Sequence, residues 1–303
     1  MDLRQLEMFK AVAEEGSFTA AAKRLHVSQS AISRQVKLLE DELGGPLLHR
    51  GARGVTLTPS GELLLSLAHR LNRDVKNVVA QIAETHDLLR GSLTIAGGMT
   101  VCLHVLPRVL REYHKKYQGV DIKVVTGRNE AILALLRGHE VDLALLTLPI
   151  LDRDLEVVPV LKEEMVVVTA KNHPLANQRS VDVKTLASHP QILYEEGSNT
   201  RRVQDELFAQ TDQPLNVAME TENVEITKAM VGAGLGITLI PYAAIEREVR
   251  TGRLAITRVR GKRLYRQAGW VYLKSDYVPP PVTAMIELFD SLKTRFRSVS
   301  SAS

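Results

Sequence analysis

The chain has 303 residues, of which 45% are hydrophobic and 24% are charged, and its formal net charge at pH 7 is +4. This composition predicts a globular protein of two or three domains, and the single cysteine, Cys102, excludes an internal disulfide framework. No apolar run is long enough to cross a membrane and the opening MDLRQLEMFK lacks a signal-peptide core, so we expect a cytoplasmic protein.

The N-terminal region predicts three helices. Residues 2–14 show one apolar face, and Gly16 would end this first helix. The stretch 18–43 predicts two further helices joined by a tight turn, and the alanines at 20–22 would let these helices cross closely. Ser28 is the expected N-cap of the last helix, because its hydroxyl can accept a first-turn N–H.

The helix that follows Ser28 has two contrasting faces. Its apolar stripe consists of Ile32, Val36, Leu39 and Leu43. The opposite face carries short hydrogen-bonding side chains and cations, which are the residue types that contact phosphates and base edges in DNA. These residues are Ser28, Gln29, Ser30, Ser33, Arg34 and Lys37. An ordinary amphipathic helix with a solvated polar face is the alternative for this segment taken alone.

A hairpin is predicted next. A Gly-Gly-Pro run at 44–46 ends the helix, and residues 47–57 alternate around a glycine-rich turn. Arg50 and Arg53 flank this turn, so the hairpin would present cations to a DNA backbone or minor groove. A loop with solvated arginines is the alternative. Together these elements predict a winged helix-turn-helix DNA-binding domain over residues 1–58.

A long helix is predicted from Thr58 to about Leu89, with residues 59–90 acting as a linker. Its apolar seam repeats at intervals of four and three, and consists of Leu64, Ala68, Leu71, Val75, Val78, Ile82, Thr85 and Leu89. Such a seam favours pairing with a second copy, although packing on its own chain is the alternative. The stretch from Lys23 to Arg53 carries six cations and three anions, a basic patch too small for one monomer to bind DNA well at physiological salt.

From residue 91 onward, predicted strands and helices alternate, which indicates parallel strands with crossover helices. The predicted strands are 92–98, 121–127, 141–147, 155–161, 164–170, 191–197, 216–222, 235–241, 254–259 and 268–274. The predicted helices are 105–117, 130–138, 198–210, 224–234, 242–252 and 280–296.

Two N-terminal segments carry a family resemblance: LRQLEMFKAVAEEGSFTAAAKRLHVSQSAISRQVKLLEDELG, and the pattern R-x-x-R-G-V-x-L-T-P-S-G from Arg50 to Gly61. Residues 1–65 resemble the DNA-binding domain of LysR-type transcriptional regulators, although Leu48 stands where the family usually has an aromatic residue. The resemblance implies that the six polar residues after the turn, with Arg50 and Arg53, contact double-stranded DNA at an inverted-repeat operator. It also implies that linker helices pair two subunits, usually within a tetramer.

The remainder of the chain is similar, more weakly, to the effector-binding domain of the same family. That resemblance implies an α/β domain over 91–303 with two lobes, like a type 2 periplasmic binding protein. Lobe I would comprise about 91–161 and 268–303, and lobe II about 162–267.

A ligand cleft is expected where strands end and helices begin, because helix N-termini offer free N–H groups. The resemblance, together with these positions, gives the candidate ligand-binding residues Thr100, Val101, Thr147, Ser198, Asn199, Thr200, Asn223 and Pro241. They predict a small anionic or polar effector such as a carboxylate. Helix capping is the alternative for each hydroxyl, and Arg128, Arg201 and Arg202 are either counter-ions or surface cations.

No catalytic, metal or cofactor site is predicted, because the chain lacks HExxH, GxSxG, Walker A and paired-cysteine motifs. Cys102 and His104 would not share a helix face, and GAGLG at 232–236 follows a helix where a dinucleotide fingerprint must follow a strand. The predicted function is therefore an effector-controlled transcriptional regulator, with RNA polymerase as a candidate partner. The alternatives are an architectural DNA binder without an effector, and an enzyme that uses the two-lobed cleft.

Overall fold

The computed structural model describes residues 1–51, 54–84, 89–211, 213–275 and 277–297, so Arg53 and Thr85 lie outside the described residues. The chain divides into two compact units, the first built mainly on Met1–Ile82 and the second on most of the chain that follows. Within the described ranges, no helix is both long and apolar enough to span a bilayer.

The first unit contains a three-helix core, a hairpin and a long helix. Its elements are α1 (Leu3–Glu15), α2 (Phe18–Leu25), α3 (Gln29–Leu43), β1 (Leu48–Gly51), β2 (Gly54–Leu57) and α4 (Pro59–Glu84). Phe9, Ile32 and Leu39 are fully buried in one apolar cluster, as the predicted stripes require. Leu43 is 48% exposed, because it is the last residue of α3 and the chain leaves the core at Gly44.

The second unit alternates strands and helices. Its strands are β3 (Arg90–Gly97), β4 (Gly119–Thr126), β5 (Leu143–Thr147), β6 (Leu155–Ala170), β7 (Ser180–Val181), β8 (Gln191–Tyr194), β9 (Val217–Thr221), β10 (Thr238–Pro241), β11 (Leu254–Val259) and β12 (Leu264–Leu273). Its helices are α5 (Met99–His104), α6 (Leu106–Lys116), α7 (Asn129–Arg137), α8 (Val183–Ala187), α9 (Asn199–Phe208), α10 (Val224–Gly232), α11 (Glu246–Arg250) and α12 (Pro280–Arg297).

The strands form one large sheet and one small one among the described residues. The large sheet has the order β4-β3-β5-β12-β6-β11-β7, and β10 also pairs with β6. As predicted, β3 is parallel to β4 and β5, and β8 is parallel to β9. The prediction of parallel strands is wrong around β6, because β10, β11 and β12 all run antiparallel to it, and β12 is also antiparallel to β5.

Separate apolar clusters define two lobes in this unit. Lobe I packs around Trp270 and Phe289, whose rings meet edge to face at a centroid distance of 5.4 Å. Lobe II packs around residues such as Leu193 and Ile240. Strands β6 and β12 contribute to the cores of both lobes, so the predicted two-lobed α/β architecture is confirmed.

The prediction of two strands, 155–161 and 164–170, is wrong, because β6 is a single strand of 16 residues. The charged residues between the two apolar runs looked like a break. In the structure, Glu163 and Glu164 are buried within the strand, where Arg266 and Arg258 pair with them. Charges that are neutralised across a sheet do not interrupt it.

Helix boundaries differ where capping signals are weak. Helix α6 confirms the predicted helix at 105–117, whereas the separate helix α5 was not predicted, because its N-cap, Gly98, has no side chain that could signal a start. The predicted helix 242–252 is a 3₁₀ turn, Tyr242–Ala244, followed by α11. Two further short elements, β7 and α8, were not predicted either.

A buried histidine should make the stability of the first unit depend on pH. His69 on α4 is buried, and both its burial and the charge of Lys10 lower its pKa below 6.5, while Glu14 opposes this shift. The folded state therefore favours the neutral form of His69. Below about pH 6.5, this histidine binds a proton more readily in the unfolded chain, which stabilises the unfolded state. We expect the free energy of unfolding to fall between about pH 7.5 and about pH 5.5.

Urea denaturation of the full chain at the two pH values measures this difference. The fall should be smaller in His69→Gln, which cannot titrate, but should persist in His49→Gln, which replaces an exposed histidine on β1. An equal fall in all three proteins would contradict the assignment.

Candidate functional site

The start of α3 is fixed by local geometry. His26 adopts a left-handed conformation with φ of 54°, which turns the chain sharply between α2 and α3. The Ser28 hydroxyl accepts a hydrogen bond from the Ala31 N–H at 3.2 Å and lies 3.1 Å from the Ser30 hydroxyl. The predicted N-cap at Ser28 is thus confirmed.

The polar face of α3 is accessible. Gln29, Ser30, Arg34 and Lys37 are exposed, and Ser33 is half-buried. Lys37 is engaged with Asp41, one helical turn away, at 3.0 Å. Within the described part of the chain, no carboxylate lies within ion-pair distance of Arg34, so its guanidinium is free to meet a ligand.

A buried carboxylate attaches the hairpin to α3. Glu40 is buried, and its Oε1 accepts hydrogen bonds from the backbone N–H groups of Leu47 at 2.9 Å and Leu48 at 3.3 Å. A buried charge is tolerated only when donors satisfy it. The start of the hairpin is therefore held at a fixed position on the helix that carries the polar face.

The end of the hairpin is held equally closely. The Thr58 hydroxyl donates to the Pro46 carbonyl at 2.8 Å and accepts from the Gly61 N–H at 3.0 Å. A Cβ atom on Gly61 would lie 2.1 Å from the Leu47 carbonyl oxygen, so this close approach requires glycine.

In the second unit, a buried arginine lies where β6 and β12 pass between the lobes. Arg266 Nε donates to Glu163 Oε2 at 2.7 Å, and the two side chains are only 3% and 8% exposed. Its Nη1 donates to the Thr200 hydroxyl at 3.0 Å. Its Nη2 is buried and has no hydrogen-bond partner among the described residues.

Tyr194 and Thr100 belong to the same polar centre. Tyr194 is buried at the end of β8, and burial raises the pKa of its phenol, while the charge of Arg266 and the nearby hydroxyl of Thr100 oppose this shift. The phenol therefore stays protonated at neutral pH and can donate a hydrogen bond. Of the predicted residues, Thr200 contacts Arg266 directly, and Thr100 lies beside Tyr194.

Hydrogen bonds at the rim join the lobes. Asn199 Nδ2 donates to the Thr147 carbonyl at 2.6 Å, and Asn129 Nδ2 donates to the same oxygen at 3.1 Å. Arg128 of lobe I pairs with Glu195 and, at 3.4 Å, with Glu222 of lobe II. Thr147 and Asn199 are thus used in a contact between the lobes.

The other two arginines considered as counter-ions also have partners within the protein. Arg201 pairs with Asp205 at 2.8 Å and with Glu220 at 2.7 Å. Arg202 Nη2 donates to the Leu148 carbonyl at 3.4 Å. Both side chains therefore stabilise lobe II or its contact with lobe I.

The remaining predicted ligand residues have structural contacts. Ser198 caps α9 by accepting the Arg201 N–H, and Asn223 caps α10 by accepting two N–H groups. Val101 is buried in the lobe I core, and Pro241 is buried at the end of β10, beside β6. Helix capping, the alternative considered above, is what the Ser198 hydroxyl and the Asn223 side chain do here.

Sequence reasoning missed Arg266, Tyr194 and Glu163. The available signal was a pair of carboxylates, Glu163 and Glu164, inside an otherwise apolar run. Such charges must be either exposed or paired, and pairing would have pointed to an arginine on another strand.

The residues considered for metal or redox chemistry do not form a reactive site. Burial raises the pKa of the Cys102 thiol to about 11, so it is protonated at neutral pH and a poor nucleophile. Its Sγ lies 3.4 Å from the Gly97 carbonyl. Across the described ranges, no group of three or more His, Cys, Asp or Glu residues could hold a metal ion.

Comparisons with known proteins match both units. Residues 3–62 match the family model "Bacterial regulatory helix-turn-helix protein, lysR family", and residues 86–293 match "LysR substrate binding domain". The chain is 31% identical over 287 residues to the RuBisCO operon transcriptional regulator of Allochromatium vinosum, covering 95% of each chain. It is 32% identical over 273 residues to the HTH-type transcriptional activator CmpR of Synechocystis sp., covering 90% of each.

Among solved structures, a full-length OxyR variant from Pseudomonas aeruginosa superposes with a TM-score of 0.78 at 25% identity. The alignment covers 97% of this chain and 95% of that protein. The similarity therefore extends over both units and supports the fold class predicted from the sequence.

The buried ion pair leads to a prediction about stability. Glu163→Ala would leave the Arg266 guanidinium buried without a counter-charge, so we expect a loss of about 3–5 kcal/mol in the free energy of unfolding. Glu164→Ala is the matched control, because its partner Arg258 is 34% exposed and can be rehydrated. Urea denaturation should show a clearly smaller loss for this control; equal losses would mean that burial of Arg266 does not matter.

Proposed function

Because the chain belongs to the LysR family of bacterial transcriptional regulators, we propose that it binds an operator and responds to a small anionic metabolite held between its lobes. The observation that carries the proposal is the exposed polar face of α3, held in place beside a hairpin. The proposed division of the chain is a DNA-binding domain at 1–58, a linker at 59–90 and an effector-binding domain at 91–303.

The contacts with DNA follow from residue type and exposure. Arg34 is exposed without an ion-pair partner in the described residues, and arginine binds guanine edges in a bidentate manner. Gln29, Ser30 and Ser33 would add hydrogen bonds within the major groove. Lys37 and Arg50 would contact phosphates, which position the protein but carry no sequence information. Arg53 stays a proposed contact from the family resemblance.

The seam of α4 supports pairing with a second copy. Its first part, Leu64 and Ala68, is buried in the core of its own unit. Further along, Val75 and Val78 are 48% and 53% exposed, so the apolar stripe continues without cover from the described residues of this chain. Two paired subunits would present two copies of α3 to an inverted repeat, with half-sites about one DNA turn or a multiple apart. The family's usual tetramer would present four copies of α3.

Arg266 supports an anionic ligand. Glu163 and Thr200 use its Nε and Nη1, while Nη2 keeps its hydrogens without acceptors in the described residues. An unsatisfied buried donor is unfavourable, and a carboxylate or phosphate oxygen would satisfy it. The hydroxyls of Thr100 and Tyr194 would supply further hydrogen bonds.

The lobes must separate before a ligand can reach Arg266, because Nη2 is enclosed in this arrangement. Opening would break the contacts of Thr147 with Asn199 and of Arg128 with lobe II. A ligand changes the balance between open and closed lobes only if it binds them with different affinities. We infer that this balance is the regulatory signal to the DNA-binding domains.

Replacement of the exposed arginine on α3 tests the DNA assignment. Arg34→Ala should weaken binding to a duplex selected by the wild-type protein by about 1–3 kcal/mol and relax the preference for one base position. Lys37→Ala should weaken binding to all duplexes about equally, because a phosphate contact is not sequence-specific. Competition assays with single-base variants separate these effects, and an unchanged base preference in Arg34→Ala would remove Arg34 from the specific contacts.

A thermal-shift screen tests the cleft. Mono- and dicarboxylates that raise the melting temperature of the full chain should lose that effect in Thr100→Val, while DNA affinity without ligand stays unchanged. Thr283→Val, which alters an exposed threonine on α12, should respond like the wild type. A full response in Thr100→Val would mean that the ligand binds elsewhere. DNA affinity that no metabolite alters would favour an effector-independent DNA binder.

A further inference from the structure

We propose that Phe18 is a positioning residue for DNA binding, because its ring holds the Arg50 guanidinium of the hairpin against α3. Phe18 lies on a different helix from the predicted DNA contacts and was not among them. The inference rests on the proposed function, in which Arg50 contacts the DNA backbone.

Three elements meet at the Arg50 side chain. The guanidinium carbon lies 4.6 Å from the centroid of the Phe18 ring, which is a cation–π distance. Nη1 lies 3.4 Å from the Ser33 hydroxyl of α3, to which it donates. The Arg50 cation therefore links three elements: the first residue of α2, strand β1 of the hairpin and the polar face of α3.

The Phe18 ring is itself held firmly. It is 9% exposed and packs in the apolar core of the first unit, so one face is fixed by the protein interior. Ser17, the preceding residue, caps α2 by accepting the Ala20 N–H at 3.3 Å. The cap orders the first turn of α2, and the core packing holds the Phe18 ring in place.

The hairpin is attached to the same turn by its backbone. The Val55 N–H donates to the Gly16 carbonyl at 2.9 Å. A Cβ atom on Gly54 would lie only 2.9 Å from that same oxygen, so β2 approaches the α1–α2 turn as closely as its backbone allows. This attachment keeps β1, and with it Arg50, at a constant distance from Phe18.

Holding the guanidinium in advance should favour binding. A free arginine loses rotamer freedom when it contacts a phosphate, whereas a side chain already held on a ring loses less. The cation–π contact leaves the charge of Arg50 intact, and its planar face covers the ring while its N–H edges stay free to donate. Phe18 would thus strengthen the contact between Arg50 and DNA without touching the DNA itself.

A double-mutant cycle in the full-length protein tests this inference, using a duplex selected from a random pool by the wild-type chain. Phe18→Leu keeps an apolar side chain but removes the ring, and should weaken binding about two- to fivefold for each DNA-binding unit engaged. In an Arg50→Ala background the same change should have no further effect. Phe18→Tyr, which restores a ring, should recover most of the affinity.

Phe9→Leu is the matched control. Phe9 is fully buried in the same core, and within the described residues no cation lies over its ring. Its effect on DNA affinity should be independent of Arg50, even if it lowers the melting temperature more than Phe18→Leu does.

The outcomes separate the role of Phe18 from the proposed DNA-binding face. If the effects of Phe18→Leu and Arg50→Ala multiply, Phe18 only packs in the core and the inference is wrong. If Arg50→Ala leaves affinity unchanged while Arg34→Ala weakens it, the inference fails but the DNA-binding assignment stands. If neither arginine matters, the proposed DNA face itself is wrong.

Discussion

The ion pair between Glu163 and Arg266 is the constraint on which the two-lobed unit depends. Both charges lie inside a sheet, where the loss of hydration is repaid only by an opposite charge with good geometry. Glu163 and Arg266 face each other in the register of β6 and β12, so a slip of one residue would separate them. The pair therefore fixes the two strands that both lobes share.

The DNA-binding unit uses the same physical device on a smaller scale. Glu40 lies among apolar residues of α3, and its carboxylate is satisfied by two N–H groups at the base of the hairpin. Apolar side chains would tolerate small shifts between these elements, whereas a buried carboxylate requires its donors at hydrogen-bond distance. In both units, a buried charge thus specifies position more narrowly than packing does.

Local signals explain which features could be predicted from the sequence. The Ser28 cap, the apolar stripe of α3 and the hairpin depend on residues a few positions apart, and the structure contains all three. The continuity of β6 could not be predicted, because the partner that neutralises Glu163 is 103 residues away along the chain. The candidate site at Arg266 was missed for the same reason, because a charge between two apolar runs suggests a loop until its partner is known.

The contacts between the lobes differ in strength from the centre of the unit to its rim. At its centre, the pair of Glu163 and Arg266 is buried, so breaking it would expose an uncompensated charge. At the rim, Arg128 is largely exposed, and exposed ion pairs contribute only about 0–1 kcal/mol each. In the function proposed above, the lobes would separate at the rim while the strands stay paired at the centre. In that proposed function, a ligand that forms one charged hydrogen bond with Arg266 only when the lobes are closed, worth about 1.5–3 kcal/mol, would shift the population of closed lobes by roughly ten- to 150-fold.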